Sequence, residues 1–424
     1  MKLNYKNTVL VGLAFLAISS FWQLYDFTIP LILKNNFSMN DGLAGFIMSL
    51  DNIIALFMLP LFGMFSDRLH TRIGRRMPFI VLGTLASLAS MMFIPYTAHR
   101  MLLIPFIVVL GFVLITMATY RSPAVALMPD ITPKPLRSKG NAVINLMGAL
   151  GGAVILLVNS FLAPENPTVP AESDYYPIFL VVGGIMLVAM VVVFFTINEP
   201  KLVRRMREDS AAAGIDPEEA EHADITHNSV EEHRLEPEVR RSLILILLSV
   251  SLWFMGYNAV TTAFSKYAVN SLGVTTSKAS LILMVAVIAA TVSFIPVGLL
   301  STKIGRKKMI LAGVVLLALS FGTAFFYKTY SPTMYVNFAL AGVAWACINV
   351  NSLPMVLEMS KGANVGKYTG YYYTFSMAAQ VATPILSGLL LEYVGYYTLM
   401  PYAAGFVSLS FLTMLLVKHG DSKG

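Results

Sequence analysis

Apolar residues in this chain neither alternate nor recur at amphipathic spacing; they come in long unbroken runs divided by short polar breaks. A helix needs about 20 residues to cross a hydrocarbon core about 30 Å thick. Runs of that length fall at approximately 8–33, 42–65, 77–97, 101–128, 139–163 and 176–197, and after a polar gap at 242–268, 279–301, 309–327, 332–357, 366–391 and 396–417. The pattern predicts an all-α polytopic membrane protein with twelve transmembrane helices, six plus six. The first run is about twice the length of a signal-peptide core and lacks a small-residue cleavage site, so it is expected to stay as a helix.

Composition sharpens the class. Of 424 residues, 56% are hydrophobic and 12% charged, against about 25% charged in soluble domains. The net charge of +7 does not point to nucleic acid, because Lys and Arg fall in the breaks between runs. Cys347 is the single cysteine and lies inside an apolar run, so no intrachain disulfide can form. The gap after the sixth run holds His222, His227 and His233; their spacing is not the i, i+4 pairing of a helical metal site, so no metal is expected. No nucleophile–base pair or ligand spacing suggests an enzyme, and no cofactor is expected.

The polar breaks are organised around one segment. Gly63 to Phe79, GMFSDRLHTRIGRRMPF, places Asp67 and four arginines, Arg68, Arg72, Arg75 and Arg76, between two runs. Short Arg-rich loops stay cytoplasmic. With this loop inside, both termini are inside, and 24 Lys and Arg fall in inner segments against five outside (Lys34, Arg100, Lys266, Lys278, Lys328). A weaker copy, PVGLLSTKIGRKKM, runs from Pro296 to Met309, with Gly298 matching Gly63 and Gly305 matching Gly74. Phe21, Tyr25 and Asp26 likewise answer Trp253, Tyr257 and Asn258, and Pro123 answers Pro354. The expected organisation is therefore a six-helix bundle over 1–198, a cytoplasmic linker over 199–241 and a second bundle over 242–424. Repeated bundles of this kind hold substrate near the midplane and rock about it; this layout is the major facilitator fold.

The hinge, together with RSPAVALMPDITPKPLRSKGNAVINLMGALGG (Arg121 to Gly152), resembles bacterial sugar carriers of the glycoside-pentoside-hexuronide group, in the branch that contains plant sucrose/proton symporters. The specific pieces are SDR…GRR-x-PF, the P-x-x-A-L-x-x-D ending of the fourth helix (Pro123, Ala126, Leu127, Asp130), and Gln380 with Pro384. The resemblance implies cation-coupled uptake of a glycoside, usually a di- or oligosaccharide. Two departures stand out. The helix-4 aspartate of the plant symporters is Leu114 here, and the helix-2 aspartate pair of melibiose-type carriers is replaced by Ala55 and Leu59. Neither known cation site carries over.

The coupling residue must then come from the ionisable residues at membrane depth, each of which costs at least about 2.5 to 3.5 kcal/mol unless partnered. At 1.5 Å per residue, Asp26 lies about 12 Å and Asp51 about 15 Å below the outer ends of the first two helices. A carboxylate drawn out of water is the natural group to exchange a proton. Asp51 is the first candidate, with no cation among its sequence neighbours Leu50, Ile53 and Ile54. Asp26, beside Trp22, Gln23 and Tyr25, looks more like an acceptor for sugar hydroxyls under an aromatic face. The alternatives are a capped kink at Pro30 and interhelical bonds from Asp51 and Asn52. Arg121 needs an anion: either a structural pair with Asp130 or Glu358, or a carboxylate that changes with transport state.

The second half supplies neutral groups, Tyr257, Asn258, Asn349, Asn351 and Gln380. Asp67, accepting from Arg68 or from a helix N-terminus of the opposite bundle, is expected to form a conformational latch with Arg72, Arg75, Arg76, Asp130, Arg137 and Glu358. Together these point to a disaccharide importer, for maltose or sucrose, driven by H⁺ with Na⁺ as the alternative. It is expected to work as a monomer in a bacterial cytoplasmic membrane. The competing expectation is an efflux carrier for amphipathic compounds, suggested by 24 Met and 26 Phe.

Overall fold

A computed structural model of the chain describes residues 3–133, 136–164, 174–212, 236–359 and 365–421. The three linker histidines lie outside the described residues. Fourteen α-helices follow in order: α1 (Tyr5–Asn35), α2 (Asp41–Arg68), α3 (Met77–Met91), α4 (Phe93–His99), α5 (Leu103–Asp130), α6 (Arg137–Leu162), α7 (Tyr176–Thr196), α8 (Glu199–Ala212), α9 (Pro237–Asn270), α10 (Thr276–Ile304), α11 (Arg306–Ala324), α12 (Thr333–Glu358), α13 (Val365–Tyr393) and, after a 3-10 turn at Tyr396–Thr398, α14 (Leu399–Leu415). Among the described residues twelve spans are long and apolar enough to cross a membrane, with α3 and α4 forming one of them. Hydrocarbon offers no partner to backbone N–H and C=O groups, which is why each apolar run closes its own ladder as a helix.

The chain divides into two compact units. One comprises Met1–Tyr25, Asn35–Phe37 and Leu50–Asn228; the other comprises Asp26–Lys34, Ser38–Ser49 and Ser229–Gly424. In the first, α3 packs on α5 and α7, and Gly151 of α6 lets the backbone of Leu16 in α1 approach so closely that a Cβ there would collide with it. In the second, α10 and α11 pack on α12, and α9 packs on α13 and α14. Phe21 and Trp253, matched in the sequence repeat, are 1% and 0% exposed in their own units.

The expected linker does not begin as coil. Its first residues form α8, stabilised by Arg204–Glu208 and Arg205–Asp209 pairs at i, i+4. Glu199, the first residue of α8, is 1% exposed. Its Oε1 accepts the backbone N–H of Arg75 at 2.8 Å and of Arg76 at 3.0 Å, and its Oε2 that of Met77 at 3.0 Å. A helix N-terminus exposes unpaired N–H groups and a partial positive charge, so one buried carboxylate satisfies the start of α3. Gly74, at φ +117°, makes room for it: a Cβ at this position would collide with the Glu199 carboxylate. The second hinge repeats the device. Gly305 has φ +102°, and Asp421 accepts the backbone N–H of Lys307 at 3.2 Å, while Lys307 Nζ caps Leu415 and Val417 carbonyls at 2.9 and 2.6 Å.

Glu199→Ala leaves three N–H groups without an acceptor and is expected to destabilise the protein by about 2 kcal/mol or more; Asp421→Ala, with one long bond lost, should cost under about 1 kcal/mol. Cys347, 4% exposed, provides the readout, since a thiol-reactive dye reports its exposure as detergent-purified protein is heated. Equal melting temperatures for the two variants would remove the capping role of Glu199.

Candidate functional site

In the first unit, α1, α2 and α5 bring together Trp22, Asp51 and Arg121. The Arg121 guanidinium lies over the Trp22 ring, 5.3 Å from its centroid, a distance at which the ring quadrupole attracts a cation. Trp22 is held edge-on by Phe21 at 5.3 Å and by Tyr25 at 5.5 Å. Tyr25 is 1% exposed and belongs to the packed core, whereas Trp22 and Gln23 are half-buried. Trp22 Nε1 is a buried donor with no acceptor among the described residues. Gln23 lies over Gly152 of α6.

Asp51 is half-buried and its Oδ1 accepts from Asn52 Nδ2 at 2.7 Å. Its sequence neighbours offer no cation, as expected, but Arg121 of α5 acts on it electrostatically. Sequence distance hid this: the two residues are on different helices. Asp130 and Glu358, the structural partners expected for Arg121, each hold another ion pair. Asp130 binds Arg75 and Arg76, at 3.0 and 2.8 Å, and Glu358 binds Arg306 at 2.7 Å.

The hinge arginines separate into two kinds. Arg76 is 5% exposed and is surrounded by acceptors: Asp130, Asp67, the Ser66 hydroxyl and the Gly63 carbonyl. Asp67 therefore takes its ion pair from Arg76 of its own unit, where Arg68 or a helix of the opposite bundle was expected. Arg68 and Arg72 are exposed. Arg137 Nε reaches the Thr132 carbonyl at 3.3 Å.

The second unit holds the neutral set, with Asp26 beside it. Tyr257 stacks on Trp345 at 3.7 Å and 7°, Phe254 meets the same indole edge-on at 5.3 Å, and Asp26, half-buried, is within electrostatic reach of the Tyr257 hydroxyl. Three amides each give one N–H to a carbonyl a turn earlier: Asn258 to Phe254 at 2.9 Å, Asn351 to Cys347 at 2.9 Å and Gln380 to Ser376 at 3.3 Å. Asn351 is 1% exposed, so it is enclosed by protein, while Asn258 and Gln380 are half-buried and Asn349 is exposed.

The sequence matches the model of the Major Facilitator Superfamily over residues 11–290 and 246–423. The chain belongs to the major facilitator superfamily. Among solved structures its fold is similar to the inward-open xylose transporter XylE from E. coli, at 14% identity over 99% of this chain and 97% of that one, with TM-score 0.68. It is also similar to a D-xylose-proton symporter, at 13% identity over 99% of both chains and TM-score 0.71. A variant of the nucleoside transporter NupG aligns at 14% identity over 97% of this chain and 100% of that one, with TM-score 0.66. Identity this low carries the major facilitator fold alone. A comparison with curated proteins gave no match.

The coupling of Asp51 to Arg121 can be measured directly. A double-mutant cycle of Asp51→Asn and Arg121→Gln, read as thermal stability with the same thiol dye, should show an interaction of at least about 1 kcal/mol; additivity within about 0.5 kcal/mol would make the two sites independent.

Proposed function

We propose that this major facilitator protein imports a glycoside, a disaccharide such as maltose or sucrose, together with H⁺ by alternating access. The reading places it in a bacterial cytoplasmic membrane with both termini inside, as the 24-to-five charge asymmetry of its loops requires, and within the glycoside-pentoside-hexuronide group that its hinge and fourth helix resemble. The observation that carries it is Arg121 set between the Trp22 ring and the field of Asp51.

Arg keeps its charge at every physiological pH, so Asp51 is the member of this group whose charge can change. When Asp51 binds a proton, its attraction for Arg121 weakens, and the oxygen atoms of an incoming sugar serve as acceptors for the guanidinium. Trp22 covers an apolar sugar face and offers its unpartnered Nε1–H. Binding of sugar and proton then favour each other, which is symport. Within the second unit, Asp26, Asn258 and Gln380, with the Tyr257–Trp345 stack, are the further proposed sugar-binding residues. Efflux of amphipathic compounds fits less well, because a drug pocket has little use for a charged pair and three amides at mid-depth.

Internal pH of proteoliposomes or resting cells, followed after adding maltose, sucrose, trehalose, melibiose or lactose, tests the reading. One sugar should acidify the lumen, and Asp51→Asn should remove the acidification while keeping sugar exchange down no gradient. Silence across the panel with folded protein would turn the test to Na⁺, and silence there too would end the sugar reading.

A further inference from the structure

The hinge end of the first unit holds a cavity that has no task in the proposed import. It measures about 320 Å³ and lies among the start of α1, the connection from α5 to α6, and α8, all parts of one compact unit. Pockets that hold small molecules begin at about 300 Å³, so the space suits one small solute. Its walls are partly polar. Thr8 of α1 and Thr132 of the connection line it and are each 3% exposed. Cavities that stay empty have apolar walls, whereas polar walls call for water or a solute that can satisfy them.

The lining selects among solutes. Arg205 Nε and Asp209 Oδ2, one turn apart on α8, are separated by 4.0 Å, beyond hydrogen-bond reach, so the guanidinium keeps donors and the carboxylate keeps acceptors for a solute. Their charges cancel, which disfavours a phosphate or another anion. The described lining includes no aromatic ring, so a nucleobase has nothing to stack on. Asn4 Oδ1 accepts the Asn7 N–H at 3.2 Å, and the Thr8 hydroxyl donates to the Asn4 carbonyl at 2.9 Å, which leaves the Thr8 oxygen able to accept. Hydroxyl groups both donate and accept. A polyhydroxylated neutral solute can therefore use the guanidinium, the carboxylate, the Asn7 amide and the threonines together, with Leu202 and Met206 against its apolar face.

We propose that this cavity is a second sugar site, at the cytoplasmic end of the first unit, through which accumulated sugar slows further import. The inference rests on the sugar-import reading. The site is separate from the candidate transport site: at 1.5 Å per residue, Thr8 lies about 21 Å along α1 from Trp22, too far for one sugar to touch both. A bound sugar joins α8 and the α5–α6 connection to the start of α1, the helix that carries Trp22. It favours the state in which these three elements hold their present spacing, and a ligand that favours one state of a cycle slows its passage to the next.

A reporter at the rim of the cavity tests this. Ala212→Cys, in a Cys347→Ser background of the full chain, is labelled with a maleimide in detergent-purified protein while maltose, sucrose, trehalose, melibiose or lactose is added in turn. One of these sugars in excess should slow labelling at least about threefold by mass action. Asn7→Leu, which removes a polar partner, and Met206→Trp, which fills the space, should each abolish the protection, and Trp22→Ala should keep it; if one cavity variant does not fold, the other decides. Ala211→Cys, exposed and off the lining, should label at one rate with and without sugar. In proteoliposomes, sugar inside should slow initial import at least about threefold more in the parent than in Asn7→Leu. No protection by any sugar, or protection lost in Trp22→Ala and kept in the cavity variants, overturns the second site. Equal slowing in parent and Asn7→Leu overturns its effect on import. Protection by a sugar that never acidifies the lumen keeps the site and rejects the import reading.

Discussion

A charge taken out of water must be met by a counter-charge or by hydrogen-bond donors, and the arrangement of this protein follows from where its few buried charges find them. Glu199 meets three backbone N–H groups at the start of α3. Arg76 meets two carboxylates, a hydroxyl and a carbonyl. Asp41 meets two lysines and a phenol. These satisfied groups lie toward helix ends, where water or a helix terminus is close. Asp130 is bound to Arg75 and Arg76, while Arg121 lies over the indole of Trp22 and in the field of Asp51.

The repeat is close in backbone and uneven in charge. Gly74 and Gly305 share the left-handed region, and each precedes a helix whose first N–H groups face an acid. Yet Glu199 takes three N–H groups and is buried, while Asp421 takes one at 3.2 Å. Phe21 and Trp253 fill matching core positions, but Asp26, the residue after Tyr25, is answered by the neutral Asn258. Duplication fixed where the helices turn; the charges were placed separately in each half.

Much of the fold was legible because hydrocarbon demands it: a run of about 20 apolar residues has no alternative to a helix. Glycines at hinge and repeat positions were legible because positive φ and close approach need them. What stayed hidden was any partner chosen across space. The hinge arginines could be counted, but nothing in GMFSDRLHTRIGRRMPF distinguishes buried Arg76 from exposed Arg72. Glu199 read as the first residue of a polar linker, and α8 was missed because its stability comes from i, i+4 pairs and contacts outside any apolar run. Asp41 was not singled out at all; in the structure Asn40 Oδ1 accepts from the Leu43 N–H at 2.8 Å and these residues start α2. Lys266, counted from the sequence as an outside loop residue, has its side chain 4% exposed inside α9; it sat so near the end of its run that the boundary of the run decided its fate.

On the symport reading, the group around Arg121 responds to a proton and to the solute together. Asp51 responds to a proton: Arg121 cannot lose its charge, and neutralising the carboxylate is the one change that leaves the guanidinium in need of another acceptor. A sugar brings several oxygens and an apolar face, which match the guanidinium and the indole beside it. A solute with no acceptors would offer the guanidinium nothing, at a cost that grows as water is excluded. On the symport reading, selection for a polyhydroxylated solute and coupling to a proton are two consequences of the same fixed cation.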